Sequence, residues 1–98
     1  MRVLFRQTGG LAGLVRGCEL DVEELAPVPR RALERLLAQA GGERELRLRS
    51  GAARGAEVYE LHVERDRSEA LRIELDEAVL DEPLFELIDF LQERAAPR

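Results

Sequence analysis

Several residue types that particular functions require are scarce or missing from this 98-residue sequence. All 15 basic residues are arginines, so no lysine is present for a phosphate-binding P-loop or for a Schiff base. The chain has one cysteine, Cys18, and one histidine, His62. A single cysteine excludes an internal disulfide and a multi-cysteine zinc site. We therefore expect no catalytic residues, no bound metal and no cofactor.

Positive charge is also in short supply, because 20 acidic residues outnumber the 15 arginines and give a net charge of −5. Binding to nucleic acid requires a positive face that neutralises phosphates, so we expect no nucleic-acid partner. The first apolar run, Val3 to Phe5, is too short for a signal peptide, and no stretch approaches the roughly 20 apolar residues of a membrane span. We expect a soluble protein in a reducing, cytoplasmic compartment with no membrane contact.

The length fits one domain over residues 1–98, and the 45% hydrophobic content is that of an ordinary globular protein. Residues 2–7 predict a strand. Residues 11–21 predict a second strand, weakened by glycines, after a tight hairpin near Gly9 and Gly10. Three short runs then alternate apolar and polar residues, at 46–48, 59–63 and 71–75, with a turn at 65–68 between the last two. Such alternation is typical of antiparallel strands with one wet face.

Two helices complete the pattern. The first ends before Gly41, and its apolar face recurs at helical spacing: Val28, Ala32, Leu33, Leu36, Leu37 and Ala40. The second covers roughly Glu82 to Ala95, with a buried stripe of Leu84, Leu87, Ile88 and Leu91. Phe85 and Phe90 lie on opposite flanks of that stripe, which favours exposure of at least one of them. The predicted fold is an α+β domain with two helices against an antiparallel sheet, in the order ββαβββα.

The candidates for catalysis are weak. His62 falls on the polar face of its strand, where a solvated side chain is the simpler interpretation than a general base or a metal ligand. Nothing places Cys18 beside His62, so we interpret the cysteine as a small core residue. Acidic residues cluster at 19–24 and at 76–82, next to helix starts, where they stabilise helix N-termini. An enzyme or a ligand carrier is therefore the least favoured class.

The segment from Gly9 to Leu14 is the most unusual part of the sequence. A phosphate-binding loop is one interpretation, but the segment lacks the glycine order and the lysine of such loops. A tight hairpin that uses the conformational freedom of its glycines is a second. A third is a protruding loop that brings its backbone and its leucines against another protein.

The order Gly9, Gly10, Leu11, Ala12, Gly13, Leu14, Val15, Arg16 resembles the N-terminal Gly-Gly-Phe-Ala-Gly-aliphatic-x-Arg signature of the emfourin family. The resemblance continues through Asp21, Leu25, the leucines of the first helix, the strand around Tyr59, and the segment from Leu80 to Leu91. Two differences stand out. Leu11 occupies a position where the family more often has an aromatic residue, and two residues separate Leu80 from Pro83.

Emfourins are small bacterial protein inhibitors of thermolysin-type metallopeptidases such as protealysin. The resemblance implies a competitive inhibitor that acts inside the cell on a thermolysin-like metallopeptidase. The residues that would contact this partner are Gly9, Gly10, Leu11, Ala12, Gly13, Leu14 and Arg16. Leu11 or Leu14 would fill a pocket of the peptidase, and Arg16 would pair with acids near the cleft or form a surface ion pair within the chain.

A second class of function remains open beside the inhibitor. A general protein-interaction module would use the Phe85 and Phe90 flanks or an open sheet edge, without inhibiting a peptidase. The apolar width of the second helix also raises the alternative of a dimer, although we expect this stripe to pack inside a monomer.

Overall fold

The structure is a computed structural model, and it describes residues 1–8, 15–48, 57–66 and 69–97. Within these ranges the chain forms six strands and two helices, with one short 3₁₀ turn ahead of each helix. The elements are β1 (Arg2–Thr8), β2 (Arg16–Asp21), α1 (Pro27–Ala40), β3 (Glu45–Leu48), β4 (Val58–Asp66), β5 (Glu69–Asp76), α2 (Glu82–Arg94) and β6 (Ala96–Pro97). This confirms the predicted α+β class and the order ββαβββα, to which a two-residue final strand is added.

The strands form one sheet in the order β3-β5-β4-β1-β2-β6. Alternate residues of each strand face the helices and bury one core, as the alternating sequence pattern predicts. Val3 and Phe5 of β1 face inward, opposite Leu20 and Cys18 of β2. The residues between them point away from the helices, and we call that side of the sheet the open face.

The sheet is mixed, and the prediction of a purely antiparallel sheet is wrong in this respect. β3 pairs with β5 in parallel, from Glu45 opposite Arg72 to Leu48 opposite Leu75. The chain leaves β2 near one edge, passes through α1 on the core side, and enters β3 at the other edge. Alternation of apolar and polar residues is the same in both strand directions, so the sequence pattern does not distinguish parallel from antiparallel pairing.

Both helices cover the core side of the sheet. In α2 all four residues of the predicted stripe are buried, and Phe85 is 59% exposed, as one flank was expected to be. In α1 the predicted face is largely correct, but Val28 is 40% exposed and Pro29 is buried in its place. No helix in the described part of the chain is long and apolar enough to cross a membrane.

Three element boundaries differ from the predictions. β2 begins at Arg16, not at residue 11, and residues 11–14 lie outside the described ranges. Residues 65 and 66 belong to β4, not to a turn, while residues 67 and 68 are not described. α2 ends at Arg94, and Ala95 caps it with its N–H on the carbonyl of Gln92 before the chain enters β6.

Candidate functional site: the base of the β1–β2 connection

The predicted contact segment starts and ends at neighbouring points of the sheet. β1 ends at Thr8, β2 begins at Arg16, and Gln7 and Arg16 are direct cross-strand partners. We call the four flanking residues, Gln7, Thr8, Val15 and Arg16, the stem. The predicted contact residues between them lie outside the described residues: Gly9, Gly10, Leu11, Ala12, Gly13 and Leu14. Of the predicted site, the structure therefore describes Arg16 and the stem around it.

A side-chain hydrogen bond ties the stem to the end of α2. The amide Nε2 of Gln92 donates to Oε1 of Gln7 at 2.9 Å. The two residues are 85 positions apart in sequence, and the contact is partly buried. The C-terminal helix therefore fixes the strand end from which the chain enters the glycine-rich segment.

The residues after α2 hold the other side of the stem. β6 pairs with the start of β2, with Pro97 opposite Arg16 and Ala96 opposite Gly17. One residue further along β2, the thiol of Cys18 donates to the carbonyl oxygen of Leu91 at 3.5 Å. The strand that receives the chain after the segment is thus flanked by β1 on one side and by the C-terminal residues on the other.

Tyr59 supports the same end of the sheet from β4. It is the cross-strand partner of Gln7 and is 4% exposed. Its ring stacks on Phe5 with 6.3 Å between centroids, and its hydroxyl donates to Oε2 of Glu57 at 3.0 Å. Burial raises the pKa of the Tyr59 phenol, and the hydrogen bond to Glu57 raises it further, so the hydroxyl stays a neutral donor.

Arg16 is exposed, and the structure gives its guanidinium no hydrogen bond or ion pair within the described residues. Arg6 of β1 is likewise exposed, and its cross-strand neighbours are Gly17 and Glu60. The end of the sheet that carries the stem thus presents two arginine side chains, one on each face.

The weak catalytic candidates do not come together. Cys18 is buried on the core side of the sheet, whereas His62 lies on the open face and contacts Oε1 of Glu60 at 2.6 Å through Nε2. A nucleophile and its base must be within hydrogen-bonding distance, so these two residues form no such pair. Within the described ranges, no group of three or more histidine, cysteine or carboxylate side chains is placed to hold a metal ion.

The acidic clusters have structural roles, as the sequence indicated. Asp81 accepts from the backbone N–H of Leu84 at 3.0 Å and caps α2. Asp76, which is 2% exposed, accepts from the N–H of Ala78 at 3.0 Å at the preceding turn. The backbone N–H of Asp21 donates to Oε2 of Glu24 at 2.9 Å. These carboxylates hold turns and helix starts together.

Sequence reasoning did not identify the residues that support the stem. Gln7 and Gln92 have no unusual local context, and only the pairing register together with the placement of α2 brings them into contact. Arg6 was recognisable as an outward residue next to the inward Phe5, but its position beside the stem depends on where β1 ends. The two residues of β6 carry no periodic signal at all.

A family model described as Emfourin matches residues 5–92. The match begins within β1 and ends within α2, and it leaves out four residues at the start of the chain and six at the end. Comparisons with curated proteins and with solved structures give no match. The match includes the glycine-rich segment, both sides of the stem and Gln92, which are the features of the site described above. The chain belongs to the emfourin family.

Proposed function

We propose that this protein inhibits zinc metallopeptidases of the thermolysin and protealysin type by placing its segment 9–14 in their active-site cleft. The observation that carries this proposal is the family match over residues 5–92, which includes that segment. Metallopeptidase inhibition is the activity that membership of this family suggests. The reactive zinc ion would belong to the peptidase, and this chain would form or break no covalent bond.

The contacts around the stem support a blocking mechanism. Gln92 fixes the end of β1, and β6 pairs with the start of β2, so both flanks of the segment are anchored before any partner binds. Binding costs side-chain and loop entropy, and a scaffold that orders the flanks in advance reduces this cost. An inhibitor that blocks a cleft binds more tightly as a result, because the entropy of ordering its flanks is lost when it folds and not when it binds.

The side chains of the segment supply an apolar anchor. We assign the anchor to Leu11 or Leu14, because peptidases of this type accept bulky apolar side chains beside the scissile bond. Burial of one leucine contributes roughly 1.5–3 kcal/mol. Nanomolar affinity corresponds to about −12 kcal/mol, so further contacts are required. Arg16 is suited to contribute one of them, because its guanidinium is exposed at the stem.

The test is a residual-activity titration against a thermolysin-like peptidase. Leu11→Ala and Leu11→Asp should weaken inhibition, the aspartate more strongly, because a charge would have to enter an apolar pocket. Val28→Asp is the matched control, since Val28 is an exposed aliphatic residue on α1, away from the stem. Unchanged inhibition by both Leu11 variants would remove Leu11 from the interface, and no inhibition by the wild-type protein would refute the proposed function.

One observation favours the alternative of an interaction module without inhibitory activity. Phe85 is 59% exposed on α2, and an exposed aromatic residue is a common anchor at protein interfaces. A module of this kind would bind its partner through α2 and would leave peptidase activity unchanged. The titration separates the two functions, because only the inhibitor reduces turnover.

We further propose that the inhibitor acts as a monomer in the cytoplasm. The apolar stripe of α2 packs inside the fold, and this packing supports the monomer. Cys18 is the one cysteine of the sequence and is buried in the core, and a thiol that has no cysteine to pair with in its own chain is compatible with a reducing compartment.

A further inference from the structure

A groove opens on the face of the sheet that the helices leave uncovered. Its volume is about 390 Å³, and its lining comprises four apolar residues and two that carry donors: Leu4, Phe5, Val15 and Cys18, with Arg6 and His62. Leu4 is half-buried between Glu19 on one neighbouring strand and His62 on the other. The groove therefore combines an apolar surface with cationic or neutral donors along its border.

Paired charges cover much of the remaining open face. Glu19 pairs with Arg2, and Arg47 of β3 pairs with Glu45 at 2.7 Å and with Glu74 at 3.5 Å. Leu4 interrupts this pattern with an aliphatic side chain. An apolar hollow among solvated ion pairs can bury an apolar side chain of another molecule, so the groove is the part of this face suited to such a contact.

The border of the groove carries more positive than negative charge. Oε1 of Glu60 lies 2.6 Å from Nε2 of His62 and 2.9 Å from Nε of Arg72. Arg6 is the third neighbour of this carboxylate, but no hydrogen bond or ion pair of its guanidinium appears within the described residues. Burial alone would raise the pKa of Glu60, yet the hydrogen bond from His62 and the charges of Arg72 and Arg6 hold it below its usual range. The Glu60 carboxylate is thus the shared negative neighbour of two arginines, Arg6 and Arg72. The border of the groove is therefore locally positive, although the net charge of the chain is −5.

The position of the groove points to its occupant. Val15 lines the groove and directly follows residue 14, and consecutive Cα atoms are about 3.8 Å apart. A protein that contacts residue 14 therefore lies close to the groove. The excess positive charge selects for an acidic side chain on that protein, and Leu4 and Val15 select for an apolar one beside it.

We propose that this groove is a second contact site for the same metallopeptidase, and that it takes an apolar side chain of the peptidase next to a carboxylate that pairs with Arg6. This inference rests on the proposed function, because it names a further part of the same interface. It adds Arg6, Leu4 and Val15 to the residues that determine which peptidase is bound.

The decisive experiment compares Arg6 with an arginine elsewhere. Arg6→Gln removes the charge without placing a second carboxylate opposite Glu60, and Arg6→Glu reverses it. Arg44→Gln and Arg44→Glu are the matched controls, because Arg44 is exposed next to β3 at the opposite edge of the sheet. The Arg6 variants should raise the inhibition constant roughly tenfold or more, whereas the Arg44 variants should change it less than about twofold.

The apolar half of the groove is tested by Leu4→Ser, with Val28→Ser as its control. We expect Leu4→Ser to weaken inhibition severalfold and Val28→Ser to leave it unchanged. Unfolding curves for each variant identify any change that comes from loss of structure alone, and Arg6→Gln remains informative if Leu4→Ser fails to fold.

Three outcomes of these experiments would overturn the proposal for the groove. If the wild-type protein inhibits and the Arg6 and Arg44 variants behave alike, the groove is not in the interface, while the proposed function stands. If the wild-type protein does not inhibit, both proposals fail. If sedimentation of the inhibitor alone shows a dimer that Arg6→Gln dissociates, a second copy occupies the groove and the inference is overturned.

Discussion

The amide of Gln92 on the last helix donates to the side-chain oxygen of Gln7 on the first strand at 2.9 Å. This bond joins the C-terminal helix to the residue that pairs with Arg16 across the stem. It stabilises the fold only modestly, because a typical hydrogen bond contributes about 1 kcal/mol net. Its effect on inhibition should be larger, since it orders the flank of the segment that we place in the peptidase cleft.

We predict that Gln92→Leu weakens inhibition severalfold, mainly through faster dissociation, while the free energy of unfolding falls by about 1 kcal/mol. Surface-immobilised peptidase with the inhibitor in solution gives the dissociation rate directly. Gln39→Leu is the control, because Gln39 is an exposed glutamine on α1. Equal dissociation rates for wild type and Gln92→Leu would show that this contact does not order the inhibitory segment.

The two-residue strand β6 offers a second test of the same idea. A chain that ends at Ala95 loses the partners of Arg16 and Gly17 but keeps α2 and the core. We expect faster hydrogen exchange of the amides at the start of β2 and weaker inhibition, with the rest of the sheet still protected. A chain that ends at Pro97 is the control and should resemble the full chain. Loss of protection throughout the sheet would instead assign β6 a role in overall stability.

The contact between the helices predicts a pH effect on stability. Arg35 of α1 donates through one nitrogen to both oxygens of Asp81, at 2.8 and 3.0 Å. This hydrogen bond, with the one from the Leu84 amide, holds the pKa of Asp81 below its usual range. A lowered pKa in the folded state means that Asp81 stabilises the protein above about pH 4, and that this contribution is lost as the pH falls through the lower folded-state value.

Two variants of Asp81 separate the contribution of the ion pair to stability from that of the helix cap. Asp81→Asn keeps a good capping residue but loses the charge, whereas Asp81→Ala loses both the cap and the charge. At pH 7 the free energy of unfolding of the alanine variant should therefore be about 1 kcal/mol lower than that of the asparagine variant. Both side chains of the ion pair are about half exposed, so the asparagine variant should differ only slightly from wild type. Urea unfolding at pH 7 and pH 3 checks this, and a wild-type advantage over Asp81→Asn that persists undiminished at pH 3 would contradict it.

Much of the fold follows from patterns that the sequence displays openly. Leu84, Leu87 and Leu91 recur at helical spacing because one face of α2 is buried, and Leu71 and Leu75 alternate with charged residues because one face of β5 is wet. The direction of β3 does not follow from any such pattern, because alternation is the same in parallel and antiparallel strands. That direction depends on where α1 returns the chain to the sheet.

The site was predictable to a smaller extent. The glycines and Arg16 stand out as a local signature, but the contacts of Gln92, β6 and Tyr59 with the stem join residues that are far apart in sequence. Such contacts depend on the pairing register and on helix placement, both of which are global properties of the fold. The apolar groove depends in addition on which side chains of three neighbouring strands lie side by side.

The exposed aromatic residue of α2 distinguishes the inhibitor from the interaction module. Phe85→Ser should leave inhibition unchanged and should alter the free energy of unfolding by less than about 0.5 kcal/mol, because Phe85 is mostly solvent-exposed. The residual-activity titration and urea unfolding measure the two effects. Loss of inhibition in a variant of unchanged stability would show that the peptidase binds at α2 and not at the stem.

The central claim is that the protein occupies the active-site cleft of the peptidase, and the most direct test is the apparent inhibition constant of the wild-type protein at several substrate concentrations. Competition for the cleft predicts that this constant rises linearly with the substrate concentration, starting from the true inhibition constant in the absence of substrate. A constant that does not change with substrate concentration would mean that inhibitor and substrate bind at separate places, and it would contradict the claim.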